Sequence, residues 1–266
     1  MYFRGNLLYM IPFKKIALIG AGNVAYNIAK VLKNNGVIPF CIYTRSASKI
    51  QEIQEKTGIT AVCNYNELRD CDLIIVAVKD DAIRDVSLNL KGFKALVVHT
   101  SGTQSSSLLN HLDNYGVMYP LQTFSKDVDV DFKKIPFLIN ASSKDNIDNL
   151  KMFVKNFSDV VIECTDENRG FIHMSAVYVS NFVNVMLQIG NKFLEEKGLD
   201  VLLLQPLVME TVNKSFEMGA DDALTGPARR TDFNTIDKHK IMLKDYEDEK
   251  KIYELLTNYI IKKYNK

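Results

Sequence analysis

No C-x-x-C pair and no metal-ligand spacing links the four cysteines, Cys41, Cys63, Cys71 and Cys164. That argues against a zinc scaffold. Three of the four fall in or beside predicted strands, where a thiol behaves as a small apolar group, and the profile is that of a reduced, cytoplasmic protein. Neither charge sign dominates: the net charge is +1, so electrostatics offers no case for nucleic acid or a membrane surface as partner. There is also no internal repeat, low-complexity run or long linker. What remains is 266 residues, 47% apolar, enough for one large or two medium domains with a sizeable core. Leu7 to Phe13 loosely resembles a signal peptide, but the run is short and lacks a cleavage-like site. Residues 1–10 read as a lead-in, and Met10 could be the start.

The chain is organised around Lys14-Lys15-Ile16-Ala17-Leu18-Ile19-Gly20-Ala21-Gly22-Asn23-Val24-Ala25. A short apolar strand leads into a glycine turn that opens a helix. The turn fits G-x-G-x-x-G/A, the pattern of a dinucleotide-binding βα unit. Gly20 permits the tight bend, Gly22 lets a pyrophosphate approach, and Ala25 lets helix and strand pack. Backbone N–H groups of the helix start, around Asn23 and Val24, face the phosphates.

A second absence bears on the cofactor. The next strand, 38–43, ends at Thr44-Arg45-Ser46, where an NAD-preferring site would carry an acid for the ribose 2′-hydroxyl. Arg45 beside Ser46, with Lys49 a turn later, suits a 2′-phosphate and so NADP, since a guanidinium pairs bidentately with phosphate. Arg45 could instead cap a surface turn.

Further strands are expected at 60–63, 73–78, 95–98, 116–120, 135–140 and 160–164, with helices at 48–56, 105–113 and 144–157. This alternation predicts a doubly wound, largely parallel sheet. Ligands of such sheets lie beyond the carboxyl ends of the strands, which puts Val78, Lys79 and Asp80 after one strand and His99, Thr100, Ser101 and Gly102 after the next at the border of the cofactor. Lys79 and Asp80 could equally be solvated loop charges, and His99 a hydrogen-bonded structural histidine.

Beyond residue 165 strand signals vanish. The predicted organisation is a nucleotide domain over 1–165 and a helical domain over 166–266. The first helix has no charged residue between Arg169 and Lys192. His173, Ser180, Asn181, Asn184 and Gln188 gather in an arc of about 100° on an ideal helix, which suits a half-buried face lining a cleft. A core helix with satisfied polar groups is the alternative. A membrane span is disfavoured by the imidazole and amides within it. A helix over 199–218 with a break or kink at Pro206, a loop with Arg229 and Arg230 after Gly226-Pro227, and two amphipathic helices over 236–244 and 247–263 follow. The two arginines could hold an anionic group or form surface ion pairs.

The turn together with Thr44-Arg45-Ser46 resembles the NADP-binding domains of pyrroline-5-carboxylate reductase and deazaflavin-dependent NADP oxidoreductases. Four stretches, Val97-Val98-His99-Thr100-Ser101-Gly102, Tyr119-Pro120-Leu121-Gln122-Thr123-Phe124-Ser125-Lys126, His173-Met174-Ser175-Ala176-Val177 with Asn181-Phe182-Val183-Asn184, and Thr225-Gly226-Pro227-Ala228-Arg229-Arg230-Thr231-Asp232, resemble Rossmann-like proteins carrying domain of unknown function 2520. The resemblance implies an α/β fold, a doubly wound Rossmann domain followed by an all-helical domain like the C-terminal one of 6-phosphogluconate dehydrogenase. It implies an NADP oxidoreductase, a homodimer joined through the helical domain that closes the active site, but it supplies no substrate. Our own reading of the residues is hydride transfer between NADP(H) and a small-molecule carbonyl or imine substrate in an interdomain cleft. His173 or His99 would handle the proton, Asn181 and Asn184 would orient the substrate, and Arg229 would hold a carboxylate. A deazaflavin or flavin could be the hydride partner. Related β-hydroxyacid dehydrogenases carry a catalytic lysine on the matching helix, whereas this chain has none between Gly170 and Asn191. That absence keeps open a non-catalytic dinucleotide sensor or interaction module.

Overall fold

Short apolar runs bounded by glycine and polar turns become strands: β1 (Ile16–Ile19), β2 (Cys41–Tyr43), β3 (Ala61–Val62), β4 (Leu73–Val76), β5 (Leu96–His99), β6 (Tyr115–Pro120), β7 (Phe137–Ala141) and β8 (Val161–Glu163). The computed structural model describes residues 11–37, 39–125 and 128–264. The expected lead-in through Met10, Ile38 at the head of the second strand, and Lys126 lie outside the described residues. The strands form one sheet in the order β3-β2-β1-β4-β5-β6-β7-β8. β1 to β6 are parallel, β7 runs antiparallel to β6, and β8 is parallel to β7. The Rossmann half is therefore as expected, with a reversed edge added.

Side chains alternate across a strand, so β1 feeds two cores. Ile16 and Leu18 pack with Ile28, Leu32, Phe153 and Phe157 on one face. Ala17 and Ile19 pack with Leu68, Ile83, Leu90 and Leu109 on the other. β4 and β5 are buried along their whole length, as strands covered on both faces must be. The layers are supplied by α1 (Asn23–Asn34), α2 (Ile50–Thr57), α3 (Ile83–Leu88) and α4 (Lys144–Val154). Each fully buried Leu, Ile or Phe contributes about 1.5–3 kcal/mol.

Three sequence expectations are corrected. The helix expected over 105–113 is a single 3-10 turn, Ser106–Leu109. Its serines offer side-chain oxygens to nearby backbone donors, Ser105 accepting from the Ser107 N–H, and so compete with helix formation. Pro206 does not kink a helix. A 3-10 turn (Val201–Leu204) precedes α7 (Gln205–Met218), and the proline lies in its first turn, where a missing N–H costs nothing. The long uncharged helix is interrupted: α5 (Asp166–Ala176), a π turn (Val177–Asn181) and then α6 (Phe182–Glu195). A π turn takes up extra residues, so the arc drawn at a uniform helical pitch does not carry across it.

The chain divides into two compact units, Met1–Ser180 and Asn181–Lys266. The second holds α6, α7, α8 (Ala220–Ala223), α9 (Phe233–Met242) and α10 (Glu247–Tyr264). Within it Lys192 meets Glu249 at 2.6 Å and Phe193 meets Tyr246 edge-on. No described residue of α6 or α7 is buried, and Leu207, Leu255 and Phe216 stand 64%, 71% and 90% exposed. The helical stretch Asp166–Glu195, 30 residues, has the length and apolarity to cross a membrane.

Candidate functional site

The glycine turn closes β1 onto α1. Gly20 has φ +121°, and a Cβ there would stand 2.3 Å from the Ala77 carbonyl oxygen and 3.4 Å from Val78 Cγ1. No side chain fits, so the glycine and the end of β4 are mutually required. Gly22 is different: a Cβ there would meet nothing within 4 Å. It is the N-cap of α1, with no side-chain cap and no acid in the first turn. Open space, uncapped donors and a positive dipole end fit a pyrophosphate over Gly20, Gly22, Asn23 and Val24. Asn23 Nδ2 donates to the Phe124 carbonyl at 2.9 Å and Asn27 Nδ2 to the Ser125 carbonyl at 3.0 Å, tying the loop after β6 to the start of α1.

Arg45 follows β2 and is exposed. The Ser46 hydroxyl shares a 2.8 Å hydrogen bond with Ser48. A small pocket beside the turn is lined by Gly20, Ala21, Tyr26, Lys49 and Lys56. Glu52 lines it too and is paired with Lys56 at 2.6 Å, so Lys49 and the exposed Arg45 are the cations beside the turn, with no acid among Thr44, Arg45 and Ser46.

At the carboxyl ends of β4 and β5 the loops are tied to each other. Asp80 Oδ2 accepts from Ser101 Oγ at 2.9 Å and Thr103 Oγ1 at 2.7 Å. Lys79 is exposed, and Val78 and Thr100 are half-buried. His99 is wholly buried. Its Nδ1 accepts the Ser101 N–H at 3.2 Å, and its Nε2 makes no hydrogen bond of good geometry among the described residues, the Ser105 backbone being the polar group it faces. Burial, followed by the charge of Arg169, pushes its pKa down to about 4. The ring is neutral at pH 7 and braces the turn.

The reversed strands β7 and β8 bring the chain back so that α5 climbs toward the same end of the sheet. Thr165 caps this helix, accepting from Asn168 N–H. In its first turn Asp166 accepts from Ser105 Oγ at 2.7 Å and from Ser106 N–H and Oγ, both at 2.9 Å. Arg169, 1% exposed, donates to Asp166 at 2.7 Å and to the Gln104 carbonyl. Burial raises the Asp166 pKa, but hydrogen bonds from Ser105, Arg169 and Ser106 outweigh it and hold the carboxyl below the usual range. One turn on, His173 packs on Gly102, where a Cβ would come within 2.4 Å of its Nδ1. That Nδ1 lies 3.0 Å from the Tyr119 hydroxyl of β6. The geometry therefore brings His173 to the loop that follows β5, beside Thr100 and Ser101. Sequence reasoning missed Tyr119 and Arg169. In the sequence Arg169 is the last charge before an uncharged helix, and Tyr119 stands at a strand end and in one of the stretches that carry the family resemblance, with no site role for either.

In the second unit Asn184 is exposed and accepts from Gln188 Nε2 at 2.7 Å. Asn181 is the last residue of the π turn and is exposed. Arg229 lies over the Tyr264 ring at 4.3 Å. Its loop is strained at Thr231, whose φ of +52° is unusual for a β-branched residue.

Residues 15–100 match the family model described as NADP oxidoreductase, coenzyme F420-dependent, and residues 135–260 match domain of unknown function 2520. A Bacteroides fragilis protein assigned as an NADP oxidoreductase has a similar crystal structure, with TM-score 0.87 and 35% identity, covering 95% of this chain and 100% of that one. A pyrroline-5-carboxylate reductase from Coxiella burnetii shares the fold at TM-score 0.59 and 18% identity, covering 95% and 97%. Glycerol-3-phosphate dehydrogenase [NAD(P)+] of Bacillus subtilis is 34% identical over 114 residues, 36% of this chain and 33% of that protein. The chain spans a third or less of the curated relatives it matches.

Proposed function

The chain belongs to the family of NADP oxidoreductases in which a coenzyme F420-dependent-type nucleotide domain precedes domain of unknown function 2520, and on that premise we propose that it passes hydride between NADP(H) and a small carbonyl or imine compound. An oxidoreductase using a nicotinamide dinucleotide is what the family supplies; the phosphorylated cofactor and the substrate class are our reading. One observation carries it: His173 packs against Gly102, directly after β5, at the same end of the sheet as the phosphate-binding turn. When bound, the nicotinamide supplies or accepts the hydride. Gly20, Gly22, Asn23 and Val24 hold the pyrophosphate, and Arg45 with Ser46 the 2′-phosphate. Val78, Lys79 and Thr100 border the ring end. His173 handles the proton. Asn181 and Asn184 orient the substrate, and Arg229 is assigned to its carboxylate. A deazaflavin as hydride partner is the variant that the family description favours.

The test is turnover: NADPH with a panel of keto acids, ketones, imines and deazaflavin, followed by loss of nicotinamide absorbance. Tight binding with no oxidation across the panel would favour the second reading, a dinucleotide sensor. The absence of any lysine between Gly170 and Asn191 is what supports that rival.

We also assign the exposed apolar surface of the helical unit to a second copy of the chain, in a cytoplasmic homodimer. The helical stretch is apolar enough for lipid, but it begins at an ion pair between buried Arg169 and half-buried Asp166 and carries His173, Asn181, Asn184 and Gln188, which lipid penalises.

A further inference from the structure

The contact between His173 and Tyr119 determines more than the position of the imidazole. The ring centroids lie 5.8 Å apart at 66°, an edge-on arrangement, with the Tyr119 hydroxyl 3.0 Å from Nδ1. Position 102 is shaped around the pair, since a Cβ on Gly102 would stand 2.4 Å from His173 Nδ1 and 2.9 Å from Tyr119 Cζ. Burial pushes the Tyr119 phenol up, and Arg169 opposes this. The phenol is therefore protonated at neutral pH and has one proton to give. His173 Nδ1 is its hydrogen-bond partner among the described residues. A neutral imidazole that accepts at Nδ1 carries its proton on Nε2. That Nε2 meets no partner among the described residues, and the residue is half-buried, so a ligand can reach it.

We propose that Tyr119 is a positioning residue that fixes His173 in the Nε2–H form, and that the pair therefore selects a neutral carbonyl oxygen over an iminium cation. This rests on the oxidoreductase reading above and narrows its substrate class. A lone N–H donor pointed at the reacting atom lowers the energy of an oxygen gaining negative charge. An iminium nitrogen already carries its proton and has no lone pair to accept the bond, so the same donor opposes it. Fixing the Nε2–H form also removes the competing Nδ1–H tautomer, in which Nε2 would be an acceptor.

The test uses full-length protein with nitrogen-15-labelled histidine and no added ligand. His173 is identified by the signal lost in His173→Gln. The expected spectrum at neutral pH shows proton couplings at Nε2 and an unprotonated Nδ1 shifted by its hydrogen bond. In Tyr119→Phe, which keeps the ring, the Nδ1 signal moves to the value of a free nitrogen. Gly102→Ala displaces the imidazole and produces the same movement, should the phenylalanine variant fold poorly. A proton on Nδ1 in the parent, or an Nδ1 signal indifferent to both variants, overturns the assignment. The second arm compares matched ketones and cyclic imines with NADPH below the imine pKa. Ketones are expected to lead by about tenfold or more in kcat/KM, the discrimination of one well-placed hydrogen bond; a lead for the imines overturns the selectivity. If neither class turns over, the oxidoreductase reading falls, while the spectra still decide the Tyr119–His173 assignment.

Discussion

The Ala77 carbonyl oxygen lies 2.3 Å from where a side chain on Gly20 would begin, whereas a side chain on Gly22 would enter open space. The two glycines of one turn therefore do different jobs. Gly20→Ala should cost about 1–3 kcal/mol in strain alone, with a lower melting temperature and no nucleotide binding. Gly22→Ala should melt close to the parent yet bind NADPH at least about tenfold more weakly, because its new methyl meets only the ligand. Calorimetry on both variants checks this. Equal melting temperatures would show that the end of β4 yields.

Cofactor choice is assigned to Arg45, exposed directly after β2. Arg45→Ala should weaken NADPH by about ten- to a hundredfold, the value of a charge-assisted bidentate contact, and leave NADH nearly unchanged. Titration of both nucleotides against both proteins gives the answer. Parallel losses would move the 2′-phosphate elsewhere, with Lys49 of the adjoining pocket the next cation to replace.

Acid should destabilise the protein in two stages. His99 has its pKa depressed to about 4 in the folded protein. Above pH 6.5 it is neutral both folded and unfolded and contributes no slope. As pH falls from 6.5 to 4 the unfolded chain takes up a proton that the folded ring refuses, and about 3 kcal/mol of stability is lost. Asp166 acts lower. Its folded carboxyl is depressed, so its contribution is full above the unfolded value and disappears as pH drops through the folded one. His99→Gln should flatten the upper limb and leave the lower. Denaturant titrations at half-unit pH steps would show it, and an unchanged upper limb would assign that limb to another group.

The helical unit should associate. Phe216, 90% exposed on α7, is a sensitive position: Phe216→Glu should raise the dimer dissociation constant by at least about tenfold, measured by sedimentation. A parent protein that sediments as one copy at micromolar concentration would refute the assignment.

The doubly wound, largely parallel sheet, the turn and the end of β2 were legible because each is written locally, in apolar runs and the glycines between them. The reversal at β7 was not, because strand direction is set by pairing across the sheet. His173 was legible as a lone imidazole in an uncharged helix. Its partner was not, because Tyr119 lies 54 residues earlier and the two meet only through the β5–β6 pairing together with the docking of α5 on the loop after β5. The turn at Ser106–Leu109 was misjudged for a similar reason. Its apolar spacing suits a helix, but Asp166, 60 residues on, claims the serine hydroxyls and the Ser106 N–H.

Arg169 has one further consequence. Its guanidinium is 1% exposed and held through two of its nitrogens by Asp166 and the Gln104 carbonyl, while Nε has no partner among the described residues, so peeling the start of α5 from the sheet would strand a buried charge or admit water to it. Such a helix has no inexpensive partial opening. Amide exchange in its first turn should be as slow as in β4 and β5, making the imidazole part of the rigid floor of the domain rather than of any moving cover.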